Sequence, residues 1–242
     1  MNTLQINAQE VKNTIERFLN NNEVETDKIT KLINYYLLLE TYRKKINLVG
    51  KCGWLDFLKY HILDSISILK FDLISGGERL CDIGSGGGLP AIPIKIFMPQ
   101  INLVMVESVR KKTNALKDIV YKIGLNEIEI LNDRTENLGA QEKWRGEFDI
   151  TTIRALGKSE IVLEYAMPLL KIGGKCVLYK TETEEINLRA LKILGGNIDR
   201  IYDYKIDGLL KARRLIVIVK NEETSRKFPR KVGIAKRHPL SI

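Results

Sequence analysis

The sequence predicts an α/β chain: a mostly parallel, doubly wound sheet with an antiparallel C-terminal hairpin and an N-terminal helical cap. Three observations predict it. From residue 79 onward, short runs rich in β-branched residues alternate with helical stretches, the pattern of right-handed strand–helix–strand crossovers. The last two runs are separated only by a short GLLKA turn, so they are expected to pair antiparallel. Before residue 72, apolar residues recur at helical rather than alternating spacing.

The elements follow in order. In TDKITKLINYYLLLETYRKK, Ile29, Leu32, Ile33, Tyr36 and Leu39 fall on one helical face, and Thr26 or Asp27 can cap its start. WLDFLKYHILDSISILKF predicts a second helix with its stripe at Leu55, Leu58, Ile62, Ile66 and Leu69. Strands are expected at RLCDI (79–83), NLVMV (102–106), EIEIL (127–131), FDITTI (148–153), KCVLYK (175–180), NIDRIYDYKID and RRLIVIVK (213–220). Helices PAIPIKIFM, VRKKTNALKDIVYKIG, SEIVLEYAMPLLK and TEEINLRALKILG lie between them. The expected organisation is a helical cap at 1–72, an α/β core at 73–223 and a basic tail at 224–242 packed on or near the core. No linker or internal repeat interrupts it.

Composition bounds the function. With 242 residues, 44% hydrophobic and 29% charged, the chain reads as an ordinary soluble globular protein with room for a sizeable core. Charges break every apolar run, so no membrane span is expected. The start, MNTLQINAQEVKNTIERF, has neither a basic leader nor an apolar secretory core, so export is not expected. Cys52, Cys81 and Cys176 are isolated, with no metal spacing and no disulfide framework, which fits a reducing cytoplasm and no bound metal. The net charge of +9 fits a polyanionic partner. From Thr224 onward the tail carries Arg226, Lys227, Arg230, Lys231, Lys236, Arg237 and His238 with no acid, and would attract phosphates through counterion release. The alternative is a solvated, disordered end, against which Phe228, Pro229 and Pro239 argue.

The stretch RLCDIGSGGGLPAIPIKIFM places a glycine loop between a strand and a helix, where backbone amides and a helix start can cradle a charged ligand. Pro90 and Pro93 are expected in the first helical turn, where their missing amides cost nothing. A triphosphate loop needs Lys and then Ser or Thr after the last glycine, but Leu89-Pro90 follows here. A dinucleotide fingerprint needs glycine at its first, third and sixth positions; counted from Gly84, the sixth is Leu89. The remaining reading is acidic-x-Gly-x-Gly, here Asp82-Ile83-Gly84-Ser85-Gly86. That is the pattern of the S-adenosylmethionine-dependent methyltransferase (Rossmann-like) fold, which the antiparallel hairpin also suits. Asp82 is then placed to help receive the methionine ammonium, while Gly84 and Gly86 let the methionyl part approach the backbone. A purely structural tight turn is the bland alternative. Glu107, ending NLVMVE, stands where an acid would bind ribose hydroxyls. A nicotinamide cofactor would use that acid equally, so Leu89 is what separates the two.

The acceptor leaves fewer marks. FDITTI is followed by Arg154-Ala155-Leu156-Gly157 and not by the Asn/Asp-Pro-Pro-aromatic stretch typical of adenine amino methylation. Cys176 lies early in its strand, as a small core residue rather than a nucleophile for pyrimidine C5. A ring nitrogen such as guanine N7 has a free lone pair and needs no base.

At INLVG (46–50), HILDSISIL (61–69), CDIGSGGGLPAIPI (81–94), ESVRKKTNALKD (107–118), NDRTENL (132–138), TIRALG (152–157), LLKIGGKCVLYK (169–180) and KFPRKVGIAKRHPL (227–240), the chain resembles one family. It is the bacterial small-subunit ribosomal RNA guanine-N7 methyltransferase family, also called glucose-inhibited division protein B. The matches run in order from about residue 29 to the end. The resemblance implies transfer of methyl from S-adenosylmethionine to guanine N7 of 16S rRNA, with 16S rRNA or the small ribosomal subunit as partner; a cytoplasmic enzyme is expected, and a monomer, although the sequence is silent on oligomeric state. It carries cofactor contacts onto Gly84, Leu89, Thr135, Glu136 and Arg154, with Thr135 and Glu136 near the adenine and Arg154 beside the transfer site. The bland readings are an ion pair for Arg154 and a helix start for Thr135-Glu136. Ser85, Ala91, Glu107 and Thr135 stand where the family usually has Thr, Gly, Asp and a small apolar residue. His61 is expected to be a hydrogen-bonded structural residue, with a general base as the alternative. Lys180 is read either as meeting a phosphate or the target base, or as solvated. Two rival functions remain at this level: a nicotinamide-dependent oxidoreductase, and a non-catalytic RNA-binding module on the same fold.

Overall fold

The computed structural model describes residues 6–21 and 23–240. The MNTLQ start read above for export, and Ser241 and Ile242 of the tail, lie outside the described residues.

Among the described residues seven strands form one sheet: β1 (Arg79–Ile83), β2 (Asn102–Val106), β3 (Ile128–Leu131), β4 (Phe148–Arg154), β5 (Leu170–Thr181), β6 (Gly196–Tyr204) and β7 (Arg213–Lys220). Their order is β3-β2-β1-β4-β5-β7-β6. The first five run parallel, β7 pairs antiparallel with β5, and β6 antiparallel with β7. The strand order therefore reverses between β1 and β4, and the crevice at their carboxyl ends is where such sheets bind ligands. Adjacent residues go to opposite cores. Leu80, Met105, Ile150, Val177 and Leu215 face one side, and Cys81, Val104, Ile153, Leu178 and Ile216 the other. Both faces are covered, as a parallel sheet requires.

The helices are α1 (Ala8–Leu19), α2 (Thr26–Arg43), α3 (Trp54–Phe57), α4 (Asp64–Lys70), α5 (Ala91–Phe97), α6 (Arg110–Lys122), α7 (Thr135–Ala140), α8 (Ser159–Ala166), α9 (Leu188–Ile193) and α10 (Ile234–Arg237). Residues of α1, α2, α5 and α6 share the first core, whereas α8, α9 and the tail join the second.

Several boundaries differ from the sequence expectation for local reasons. Thr26 and Asp27 lie inside the first turn of α2; the preceding Glu25 makes no capping bond. The second predicted helix runs unbroken over 54–70, but Leu58–Leu63 within it is a π-helical turn that separates α3 from α4. That widening shifts the buried face: Leu55 is 61% exposed, while Trp54, Phe57 and Ile68 are buried. The fifth strand begins at Leu170, and a register shift against β4 absorbs the glycines before Lys175. Of TEEINLRALKILG only Leu188–Ile193 is helical, since the Asn187 side chain accepts from the Ala190 amide and starts the helix there. Pro90 is the cap of α5 rather than part of its first turn, which does contain Pro93.

The tail is folded, not a disordered end. The Arg145 guanidinium donates to the carbonyls of Gly139, Phe228, Thr224 and Ser225. Arg230 pairs with the fully buried Glu164, and Arg226 with Glu142. Two of the tail's cations are thus engaged within the chain, which corrects the reading of the whole tail as a phosphate trap. Lys227, Lys231, Lys236 and Arg237 remain exposed.

Candidate functional site

The glycine loop sits at the carboxyl end of β1, and Gly84 (φ +72°) and Gly86 (φ +56°) both take left-handed backbone. All but one of its amides, that of Gly87, are already used among the described residues. Those of Gly84 and Ser85 donate to the Val106 carbonyl at 2.9 and 3.1 Å, and those of Gly88 and Leu89 to the Ser85 carbonyl at 2.7 and 3.3 Å. The Gly86 amide donates to Glu107 Oε2 at 3.0 Å. The amides of Gly84, Ser85 and Gly86 lace the loop to the end of β2, and those of Gly88 and Leu89 close it on itself. A pyrophosphate, which needs donors, is poorly served here, whereas a group needing only close approach finds room. A Cβ on Gly86 would meet nothing nearer than 3.8 Å. From the helical side, Tyr35 Oη of α2 donates to the Gly87 carbonyl at 2.6 Å and pins the loop. Half-buried Leu89 packs against the first core.

Two acids stand at the strand ends. Asp82 is only 1% exposed. Its Oδ1 accepts from Thr152 Oγ1 at 2.8 Å, and its Oδ2 is buried without a hydrogen-bond partner. Burial pushes its carboxyl up to about 6, opposed by the hydroxyls of Ser85 and Thr152 and by the Arg154 charge. Such an orphaned oxygen is costly unless a donor arrives. Glu107, one residue past β2, accepts from the amides of Gly86 and Val109, at 3.0 and 2.7 Å. It splints the loop and keeps lone pairs for a further donor.

Thr135 and Glu136 begin α7, as the bland reading has it, and both are buried. The Glu136 carboxylate turns toward the tail, where the Gly233 amide donates to Oε1 at 3.1 Å. Next to it the Tyr165 hydroxyl is pushed up to about 12, by burial first and then by the charges of Glu136 and Glu164.

Arg154 ends β4 with its donors engaged. Its Nε lies 3.0 Å from Asp64 Oδ2, Nη1 donates to Ser65 Oγ at 3.3 Å, and Nη2 donates to the Tyr60 carbonyl at 2.8 Å. Nη2 also lies 2.8 Å from His61 Nδ1, which must accept because a guanidinium has only donors. Burial, then Arg154 and Arg213, push the His61 imidazole down to about 3. His61 thus stands as a neutral acceptor held by Arg154, the arrangement that the structural reading expects. The ion-pair reading of Arg154 is also what the structure has, but at the carboxyl end of β4, one strand from the glycine loop. Ala155 (φ +54°) then turns the chain so that Leu156 covers Gly84, where a Cβ would fall 2.7 Å from Leu156 Cδ1.

This cluster explains the HILDS stretch, to which sequence reasoning assigned no chemistry beyond His61. The π-helical turn and the start of α4 gather Tyr60, His61, Asp64 and Ser65 around one guanidinium. Asp64, 4% exposed at its side chain, also accepts from Tyr204 Oη at 2.8 Å and lies 3.6 Å from Arg213 Nε. Tyr179 Oη donates to the Ser65 carbonyl at 2.8 Å. The available signal was an acid set in an apolar helical stripe, which needs a buried partner. Lys180 is neither solvated nor free: its Nζ donates to the Gly157 carbonyl at 3.0 Å and to Glu184 at 2.6 Å. Cys176 is a core residue whose thiol burial pushes up to about 12. Among the described residues no group of His, Cys, Asp and Glu could hold a metal ion, and no helix is long and apolar enough to cross a membrane.

Comparisons with known proteins bear on this arrangement. The fold matches a mutant of MtNAS in complex with S-adenosylmethionine, with a TM-score of 0.53 and 12% identity over 88% of this chain and 89% of that one. It also matches YcgJ from Bacillus subtilis, with a TM-score of 0.50 and 12% identity over 67% of this chain and all of that one. At such identities these likenesses concern the fold alone. In sequence, the chain is 33% identical over 222 residues to the ribosomal RNA small subunit methyltransferase G of Clostridium novyi, covering 90% of this chain and 91% of that protein. It is 34% identical over 221 residues to the protein of the same name from Carboxydothermus hydrogenoformans, covering 90% and 94%. Residues 28–217 match the family described as GidB, rRNA small subunit methyltransferase G. With four-fifths of its length inside that match and relatives aligned almost end to end, the chain belongs to the GidB family.

Proposed function

We infer that the chain transfers a methyl group from S-adenosylmethionine to N7 of a guanine in the 16S rRNA of the small ribosomal subunit. The observation that carries the cofactor assignment is the glycine loop. All but one of its amides are engaged within the chain, which leaves few donors for a phosphate, yet it leaves open space at Gly86 and an unpartnered oxygen on Asp82. The guanine N7 position and the RNA follow from family membership and the sequence resemblance.

Bound S-adenosylmethionine supplies a methyl group on an electron-poor sulfur. Asp82 accepts from the methionine ammonium through its free oxygen. Gly84 and Gly86 admit the methionyl chain beside the backbone, and Leu89 lines the loop's apolar side. Glu107 accepts from the ribose hydroxyls with the lone pairs that the Gly86 and Val109 amides leave, and the start of α7 at Thr135 and Glu136 borders the adenine. Arg154 fixes the carboxyl end of β4 against the π-helical turn, which positions the neighbouring loop. The acceptor N7 already holds its lone pair, so no side chain removes a proton; the neutral, arginine-bound His61 fits that requirement. The work of the chain is placement, the largest lever when two reactants must meet in line. The enzyme acts as a monomer in the cytoplasm, and the exposed tail lysines meet the RNA backbone.

Thermal-shift titration with S-adenosylhomocysteine and NADH tests the cofactor, and stabilisation by NADH alone would defeat it. Transfer of labelled methyl to small-subunit RNA, followed by mapping of the modified base, tests the reaction. A Gly84→Asp variant is expected to lose turnover; undiminished turnover would remove the cofactor assignment. RNA binding with no methyl transferred under any condition would favour a non-catalytic module.

A further inference from the structure

On the β5 side of Arg154 the chain forms an open cavity of about 460 Å³ at the carboxyl ends of β4 and β5. Arg154, Lys158, Lys180 and Arg213 line it against the two acids Asp64 and Glu184. Strand register places the walls made by Arg154, Tyr179, Thr181 and Arg213 on one face of the sheet, with Lys180 reaching the rim from the other. Asp82 pairs with Thr152, Arg154 with Tyr179 and Thr181 with Arg213, and residues two apart share a face. This wall of the cavity therefore shares a sheet face and a carboxyl edge with Asp82.

Its four cations are not equivalent. Arg154 is used by Asp64, Ser65, His61 and the Tyr60 carbonyl, and Lys180 by Glu184 and the Gly157 carbonyl. Arg213 is different. Its Nε is buried with no hydrogen-bond partner. Its contact with Asp64 Oδ1 is a 3.6 Å charge contact to an oxygen that already accepts from Tyr204. The guanidinium is held in place, and its charge is only partly matched. Lys158, at the exposed rim just before α8, has no ion pair among the described residues.

The charge balance says what the cavity can take. N7 attack puts a positive charge on the guanine ring as the N–C bond forms and the C–S bond breaks, with the sulfur leaving as a neutral thioether. A guanidinium against that ring would oppose the charge as it develops. An RNA phosphodiester carries the complementary charge, and the arginine fork matches its oxygens. Resting on the proposed function, we propose that Arg213, with Lys158 at the rim, holds the phosphodiester that flanks the guanine receiving the methyl group.

The test measures the dissociation constant of 16S rRNA by fluorescence anisotropy over a range of KCl concentrations, with single-turnover methylation and S-adenosylhomocysteine affinity alongside. Arg213→Gln and Lys158→Ala are compared with the unmodified enzyme. Each lost phosphate contact makes the slope of log K against log [KCl] shallower by about 0.7 to 0.9. RNA affinity at low salt falls roughly ten-fold for Arg213→Gln, while S-adenosylhomocysteine binds as before. Arg213→Lys, which keeps the charge and loses the fork, recovers the slope. Unchanged slopes in both variants overturn the proposal, as does a loss confined to the methylation rate, which would make Arg213 a structural or base-facing residue. If Arg213→Gln fails to fold, the slope of Lys158→Ala decides alone. If the unmodified enzyme binds S-adenosylhomocysteine but methylates no RNA, the functional reading falls and takes this proposal with it.

Discussion

Replacing Arg230 with Ala tests whether the tail is part of the fold. Glu164 of α8 has no exposed side-chain surface, and four hydrogen bonds from one residue converge on its carboxylate. The Arg230 amide donates to Oε1 at 2.9 Å, Nε to Oε1 and Oε2 at 2.9 and 3.0 Å, and Nη2 to Oε2 at 2.5 Å. Removing one partner of a buried pair strands the other charge, at a cost of about 3–5 kcal/mol. Because the amide of residue 230 still donates to Oε1, the lower end applies, about 3 kcal/mol. For a chain of this length each kcal/mol moves the melting temperature by about 2–4 °C. Calorimetry at pH 7 should therefore show a drop of roughly 6–12 °C. The double variant Glu164→Leu with Arg230→Met should recover most of it, since an apolar pair of similar volume can replace a buried ion pair. Arg226→Ala, which frees only the exposed Glu142, should give no resolvable change. A loss below about 1 kcal/mol for Arg230→Ala, the range of a surface pair, would refute the reasoning.

Three further outcomes follow from the site. Gly86→Ala, at φ +56° with open space around the new methyl, should cost about 1–2 kcal/mol of stability yet abolish S-adenosylhomocysteine binding by calorimetric titration; retained affinity would place the ligand elsewhere. Folding raises the Asp82 pKa from 3.8 to about 6, so its contribution to stability is complete below pH 3.8 and is lost as pH rises through 6. Binding of the ligand ammonium favours the carboxylate, so affinity should rise between pH 5 and 7 with proton release that Asp82→Asn removes, and a flat profile would contradict the ammonium contact. His61 has its pKa lowered from 6.5 to about 3, so its contribution to stability is complete above pH 6.5 and fades as pH falls toward 3. His61→Asn, which keeps an acceptor for Arg154, should retain single-turnover methylation, whereas His61→Phe should lower the melting temperature; a dead but folded His61→Asn would restore the base reading.

How much was legible depends on the range of the interaction. Strands β1, β2 and β7 coincide with their predicted runs because a strand buried on both faces, parallel like β1 and β2 or antiparallel like β7, demands a run of apolar residues, and that demand is local. The π-helical turn at Leu58–Leu63 escaped because its payoff lies 90 residues away, in the guanidinium of Arg154. The tail misled for a related reason. Its cations look alike in sequence, and only Glu164 and Glu142 distinguish the inward Arg230 and the paired Arg226 from the exposed lysines.

The amino-acid order by itself determined the alternation of strands and helices, the hairpin at the end, the glycine loop and the acids on either side of it. These are set by side-chain periodicity and by residues that only certain backbone angles accept, and both act within a few positions. Only the tertiary structure decided what those groups do. It turned the first amides of the loop onto the end of β2 and left one Asp82 oxygen unpaired. It also made Arg154 a tie to the helical layer and left Arg213 short of partners beside a cavity. A buried charge or donor is defined by what lies opposite it, and in this chain the opposite residue comes from 70 to 150 positions away.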